Sequence, residues 1–366
     1  MSSRILSGMR PTGNLHLGNY FGAIKQFLDL QAAGNECFFF VADLHALTEV
    51  TGPTDIDRLS VEVVKNYLAC GIDPAKSVLY RQSDVPEVSQ ISTLLGNIVT
   101  VAEMLRCTTY KGKCDVSAAD ELVRMKVVTK REEGLKIVKD GGEVKHLSQD
   151  KLREIEHSFS YGLLGYPVLM AADILCVNAD RVPVGKDQMQ HVEMARDMAR
   201  TFNAMFSRKV LTIPVLNEDN PPKVPGIDGM EKMGKSDGNT IALLESIDAV
   251  QKKVRGIPTQ AQAGGEMEPG TNALYQLMEL CSPGDVHTDY LRRYTAGEQK
   301  FFGEMKSRLA SDITALLEPI QARYATLSDD EVRDVLALGA KTVRPIAGAE
   351  HEEMQRAMGL NGGGSS

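Results

Sequence analysis

The chain has 366 residues, 43% hydrophobic and 25% charged, with a formal net charge of −8. That is ordinary globular composition, with length for two or three domains, and the acidic balance argues against indiscriminate nucleic-acid or DNA binding while leaving room for a local basic patch. No apolar run of about 18 residues and no signal-peptide pattern occurs, so a cytoplasmic protein without a membrane span is expected.

In chain order, a short apolar run at Arg4 to Met9 reads as a strand, broken by Pro11 and Gly13 before helical periodicity from Gly18 to Gln31. Glu36 to Ala42 is almost continuously apolar, as a parallel strand buried on both faces requires. Thr54 is placed to cap a helix whose apolar residues Ile56, Leu59, Val63, Tyr67 and Leu68 share a face and which stops at Gly71. A strand at Ser77 to Arg81 and a helix from about Glu87 to Leu105 follow. This alternation predicts an α/β fold, a Rossmann-like doubly wound parallel sheet whose ligands sit beyond the carboxyl ends of the strands. Residues of about 111–158 break the rhythm with dense mixed charge and a Gly141-Gly142 turn, and read as a partly helical insertion. The core resumes at Tyr161, passes through Val182-Pro-Val-Gly185, and enters a helix from Asp187 to Phe202. From Ile241 onward only helical periodicity remains, including Phe301 to Tyr324 and Asp329 to Lys341. The last six residues, 361–366, have linker composition and are expected to be disordered.

Cys37, Cys70, Cys107, Cys114, Cys176 and Cys281 form no CxxC pair and have no histidine at zinc spacing, so reduced thiols and no metal centre are expected. Two other stretches carry chemistry. Arg10-Pro-Thr-Gly-Asn-Leu-His-Leu-Gly-Asn19 joins a strand to a helix, where unpaired N–H groups favour phosphate and His16 can donate to developing negative charge. Glu231-Lys-Met-Gly-Lys-Ser-Asp-Gly-Asn239 offers two ammonium groups, Lys232 and Lys235, able to clamp a triphosphate and follow the departing pyrophosphate. Either alone is more simply a helix entry turn or a solvated lysine pair; together they point to one nucleotide.

His16 to Asn19 (HLGN) resembles the HIGH signature of class I aminoacyl-tRNA synthetases, and Lys232 to Ser236 (KMGKS) resembles their KMSKS signature. Asn19 replaces the final histidine, as is familiar in the tryptophan and tyrosine branch, and Gly234 replaces a serine while leaving both lysines. Tyr166 to Leu175 (YPVLMAADIL) and Val182 to His191 (VPVGKDQMQH) closely resemble the bacterial tryptophanyl-tRNA synthetases. The likeness covers roughly 4–113 and 160–360.

An indole has one N–H donor on an apolar body, so a selective pocket needs a buried acceptor within apolar walls. The resemblance implies that Asp173 is that acceptor, that Leu6, Gly8, Met170, Val182, Val184 and Gln188 line the pocket, and that His45 lies close to it. It also implies ATP contacts from Arg10, Pro11, Thr12, Gly18, Asn19, Gly185, Lys186, Asp187, Ile227, Lys232, Met233, Gly234, Lys235 and Ser236, with Lys111 and Lys113 near the phosphates.

The implied reaction is in-line attack of the L-tryptophan carboxylate on the α-phosphorus of ATP, then transfer of the tryptophanyl group to tRNA(Trp). His16, Lys232 and Lys235 are its implied catalytic residues, with Mg²⁺ held mainly by phosphates. The implied organisation is a catalytic domain over 1–240, a helical anticodon-recognition domain over 241–360 with Arg323, Arg333, Lys341 and Arg344 as candidate contacts, and a homodimer. The competing readings are a tyrosyl enzyme, disfavoured by the LMAAD and VPVGKDQ contexts, and a non-catalytic paralogue that binds tryptophan, ATP or RNA.

Overall fold

The structure, a computed structural model, describes residues 2–48, 52–105, 107, 126–131, 134–138, 144–147, 160–185, 188–216, 222–229 and 232–360. Its centre is a sheet of five strands, all paired in parallel. They are β1 (Arg4–Met9), β2 (Glu36–Val41), β3 (Ser77–Arg81), β7 (Arg181–Val182) and β8 (Val215–Leu216), in the order β3-β2-β1-β7-β8. The chain winds outward from β1 on one side and later returns to β1's other edge with β7, so the order reverses there.

The apolar run of β2 is explained by its two covered faces. Cys37, Phe39 and Val41 enter one core cluster while Phe38 and Phe40 enter the other. On the first face Phe39 stacks on Phe27 with ring centroids 4.4 Å apart.

After β1, α1 (Leu17–Asn19) passes through a π turn (Tyr20–Ile24) into α2 (Lys25–Ala32). Between β2 and β3 lie α3 (Asp43–Ala46) and α4 (Ile56–Cys70). The cap of α4 is Asp55, which accepts from the Arg58 N–H at 3.0 Å, and not Thr54, whose hydroxyl instead donates to Gly52 O. The helix expected over 87–105 is two, α5 (Pro86–Gly96) and α6 (Val101–Leu105), because Asn97 closes the first and Thr100, bonded to Glu103, opens the second.

The described part of the insertion is strand rather than helix: β4 (Lys126–Arg131), β5 (Gly134–Val138) and β6 (Val144–Leu147) form an antiparallel sheet in sequence order. Then come α7 (Tyr161–Cys176) and, between β7 and β8, α8 (Met189–Met205), which begins after Asp187. Lys111, Lys113, Lys186, Asp187, Cys114 and the tail 361–366 lie outside the described residues.

Beyond residue 240 the regular elements are helices: α9 (Ile247–Gly256), α10 (Pro269–Cys281), α11 (Gly284–Thr295), α12 (Phe302–Thr326) and α13 (Asp329–Ala357). The last runs through Pro345 and sixteen residues past Lys341, where periodicity alone had ended it. Tertiary packing explains the extension: α13 lies across the edge strand β3, and a Cβ on Gly339 would stand 1.8 Å from Leu79 O. Val343, Ala347 and Met354 are buried in the cluster beneath the sheet, so the lost hydrogen bond at Pro345 is offset by burial. The same packing covers a sheet edge.

Candidate active site

His16 is the N-cap of α1. Its Nδ1 accepts from the Gly18 N–H at 3.0 Å, and its own N–H donates to Asn19 Oδ1 at 3.1 Å. Because Nδ1 is an acceptor, the neutral ring carries its proton on Nε2. The residue is 6% exposed, and burial, followed by the charges of Lys235 and Lys232, pushes its pKa down to about 4. At neutral pH His16 is therefore an uncharged Nε2–H donor. Gly18 is dictated by this packing, since a Cβ there would sit 2.7 Å from the His16 ring and 3.3 Å from Met233 Cβ.

Backbone bonds join the two distant motifs. Leu17 N–H donates to Ile241 O at 2.9 Å and Leu243 N–H to Leu15 O at 2.8 Å, making an antiparallel bridge between His16 and Ala242. Lys235 Nζ donates to Thr12 O at 2.8 Å and Gly13 O at 3.0 Å. Its partial burial lowers its pKa. Behind the lysines, buried Asn239 accepts from the Gly234 N–H at 2.9 Å and donates to Asp228, while Ile227 N–H donates to Asn239 O at 3.0 Å. Met233 is buried, Lys232 is exposed, and Ser236 falls in a 3₁₀ turn over Lys235–Asp237. Pro11 is buried and Thr12 exposed beside them. Gly185 accepts from the Gln188 N–H beyond the end of β7.

Next to this loop pair, between β1, β2, α3, α7 and the end of β7, is a cavity of about 250 Å³. All eight residues that the sequence assigned to an indole pocket line it: Leu6, Gly8, His45, Met170, Asp173, Val182, Val184 and Gln188. Arg10, expected near ATP, also reaches its wall. Gly8 is required because a Cβ would meet Phe40 O at 2.5 Å.

Asp173 is 1% exposed. Its Oδ2 accepts from His45 Nε2 at 3.0 Å, and both its oxygens accept from Gln82 Nε2, at 3.0 and 2.9 Å. Burial pushes its pKa up, and these donors pull it back. The carboxyl group thus lines a largely apolar cavity with hydrogen-bond donors on both of its oxygens.

Sequence reasoning missed several groups. Gln82 is fully buried behind Asp173, and nothing in its surroundings at the end of a strand signals that. Tyr166 and His191 line the cavity; they stand in the stretches that carried the resemblance, where no role was read for them. The Tyr166 hydroxyl meets His191 Nε2, His191 Nδ1 lies 2.8 Å from Gln188 Oε1, and Cys107 Sγ lies 2.9 Å from the Tyr166 hydroxyl.

The candidate RNA contacts lie elsewhere. Arg333 holds Asp57 through two bonds at 3.0 and 2.6 Å, Arg344 pairs with Glu87 at 3.5 Å, and with Lys341 they line an open groove between α5 and α13. Arg323 Nε donates to Pro319 O one turn back on α12. Among the described residues no group of three or more His, Cys, Asp or Glu could hold a metal ion, and no helix is long and apolar enough to cross a membrane.

A family described as "tRNA synthetases class I (W and Y)" matches residues 1–125 and 132–318. A tryptophan–tRNA ligase of Porphyromonas gingivalis is 37% identical over 97% of this chain and 99% of its own length. One from Rhodopirellula baltica is 36% identical over 98% of this chain and 99% of its own length. Among solved structures, the tryptophanyl-tRNA synthetase of Campylobacter jejuni complexed with ADP and tryptophan superposes with a TM-score of 0.75 at 32% identity, covering 98% of this chain and 100% of that one.

Proposed function

The chain belongs to the class I tRNA synthetases for tryptophan and tyrosine, and from that membership we propose how its residues carry out the tryptophan–tRNA ligase reaction. Tryptophan is the amino acid activated and ATP the energy source. The observation that carries the assignment is a buried carboxylate, Asp173, facing an apolar cavity that adjoins the His16 and Lys235 loops.

The indole enters the cavity with its N–H toward Asp173. Leu6, Gly8, Met170, Val182 and Val184 supply walls, His45 backs the carboxylate, and Gln188 stands at the polar side. A ligand without a donor leaves a buried carboxylate unpaired, which costs more than a lost contact. The nucleotide lies along Arg10, Pro11, Thr12, Gly18 and Asn19, with Gly185 and Ile227 toward the adenosine and Lys232, Met233, Gly234, Lys235 and Ser236 over the phosphates.

The tryptophan carboxylate attacks the α-phosphorus of ATP in line, forming tryptophanyl-AMP as pyrophosphate leaves; the terminal ribose of tRNA(Trp) then takes the acyl group and AMP departs. No side-chain nucleophile is needed. His16 donates from Nε2 to charge developing on phosphate oxygen without itself carrying a proton in excess, and the ammonium groups of Lys232 and Lys235 offset the charge on the departing pyrophosphate. Lys235 donates to two carbonyl oxygens of the Thr12–Gly13 turn, so engaging phosphate with more than one of its three N–H groups requires giving up at least one of them. Mg²⁺ would be held mainly by phosphate oxygens and water, where it would neutralise phosphate charge; among the described residues no group of three or more His, Cys, Asp or Glu offers it a cage.

We extend the reading to a cytoplasmic homodimer, to residues 1–240 as the catalytic unit with its insertion at about 111–158, and to 241–360 as the unit that meets the anticodon. Amino-acid-dependent exchange of pyrophosphate into ATP tests the activity: exchange is expected with tryptophan and not with tyrosine or phenylalanine. Exchange with tyrosine, or with none of the three, overturns it. A single monomer mass in light scattering at micromolar concentration contradicts the dimer.

A further inference from the structure

Gln82 follows β3 directly, in a 3₁₀ turn over Gln82–Asp84, and is 0% exposed. A buried primary amide has two orientations that differ by a flip, and here main chain selects one. Oε1 accepts from Leu44 N–H at 3.1 Å and His45 N–H at 3.3 Å, at the first turn of α3. The NH₂ group must then face Asp173, and it lies 3.0 and 2.9 Å from that carboxylate's two oxygens. The turn is itself fixed. Asp43 Oδ1 accepts from Ser83 N–H at 3.0 Å, and the Ser83 hydroxyl donates to Asp43 Oδ2.

We propose that Gln82 is the positioning residue that makes the amino-acid pocket selective for a side chain bearing an N–H. This rests on the reading of Asp173 as the indole acceptor. With its oxygen committed to two backbone donors, Gln82 can only donate toward position 173. It therefore favours an ionised, acceptor-only carboxylate and leaves a protonated one, which would have to donate, without an acceptor on that side. The second neighbour, His45 Nε2, also offers Asp173 a hydrogen. Both groups hold the carboxylate in one plane and one charge state, in an interior where burial alone drives it toward protonation.

The test uses the full-length enzyme and pyrophosphate exchange with two amino acids: tryptophan, and its sulfur isostere in which a thiophene sulfur replaces the indole N–H. In the wild type kcat/KM favours tryptophan strongly. In Gln82→Met, which fills similar space and makes no hydrogen bond to Asp173, that preference falls by about tenfold or more, mainly through the KM for tryptophan.

Gln82→Glu is the second variant, because a carboxyl keeps an acceptor for the Leu44 and His45 N–H groups and so preserves the turn if the methionine does not fold. There, two carboxyls share one proton, so the KM for tryptophan rises as pH rises and that proton is lost. The other ionisable groups around Asp173 are His45 and Asp43 from α3, Tyr80 from β3 and Cys176 from α7, and they are the same in both proteins. The wild type is expected to lack this rise. Equal loss with both amino acids, or an unchanged preference in a folded variant with no added pH dependence, overturns the role of Gln82. Absence of any preference in the wild type instead overturns the placement of the indole N–H on Asp173.

Discussion

The Asp173 cavity and the loop pair that carries His16 and Lys235 adjoin, yet they handle charge in opposite ways. In the cavity, burial raises the pKa of a carboxylate while donors fixed in place, His45 and Gln82, oppose the rise. At the loops, a histidine that burial would neutralise is driven further that way by two cations. The first region is built before the ligand arrives. The second has an exposed Lys232 and a Lys235 that donates to main-chain oxygens. On the proposed function, selection rests on buried groups, and rate on lysines that follow the changing charge of phosphate.

Asp173→Ala should show the largest effect. It removes the proposed indole acceptor and strands the Gln82 and His45 donors, so kcat/KM for tryptophan in pyrophosphate exchange is expected to fall about 10³-fold or more. ATP binding, measured separately by equilibrium dialysis, should change little. A matching loss of ATP affinity would dissolve the division between the two regions.

His16→Gln should come next and on the other side of the comparison. Loss of the Nε2–H donor is expected to lower kcat by about 10²- to 10³-fold with the KM for tryptophan nearly unchanged. A rise in that KM equal to the fall in kcat would place His16 in ground-state binding.

The same histidine gives a pH signature. Unfolded, it takes up a proton as pH falls below about 6.5; folded, it resists until about 4. The unfolded state binds more protons across that interval, so folding stability falls as pH drops through it and is unaffected above it. Urea midpoints at pH 7 and pH 5 should therefore separate more in the wild type than in His16→Gln. ATP, an anion, should raise the His16 pKa and narrow the gap; an identical separation in variant and wild type would mean that the ring titrates normally.

The contrast also explains what the sequence disclosed. Met170, Asp173, Val182 and Val184 could be named because they stand in stretches with a distinctive pattern, LMAAD on α7 and VPV at the end of β7, whereas Leu6, Gly8 and His45 were named only through the family resemblance, and the fold brings them all to one cavity. The sheet was legible from β2, whose unbroken apolar run needs two covered faces. Gln82 was not legible, because its function depends on the backbone N–H groups of Leu44 and His45, almost forty residues earlier in the chain, and a glutamine after a strand is otherwise unremarkable. Nor was the length of α13, since Pro345 reads as a stop until Gly339 is seen lying on Leu79 of β3. The two-residue strands β7 and β8 are too short for any periodicity, and the break between α5 and α6 depends on a side-chain cap at Thr100.

The smallest expected effect concerns Gly234, where the chain departs from the KMSKS pattern. Two glycines of the loop pair are alike in sequence terms and unlike in space. Gly18 has no room for a side chain, and Gly18→Ala should force the His16 ring or Met233 aside and lower activity measurably. Gly234 sits at φ −132° and ψ 136°, extended backbone that any residue adopts. Its backbone N–H donates to Asn239 Oδ1 and its carbonyl oxygen accepts from the Asp237 N–H, and a serine would retain both bonds. Gly234→Ser should accordingly leave stability within about 0.5 kcal/mol and, by adding a hydroxyl beside Lys235, change kcat by no more than a few-fold. Thermal unfolding and exchange kinetics on the same preparation check both. A tenfold or larger rise in kcat would mean that the glycine holds back the movement of Lys235 off the Thr12–Gly13 carbonyls, and that the loop region is limited by its own flexibility rather than by the arrival of ATP.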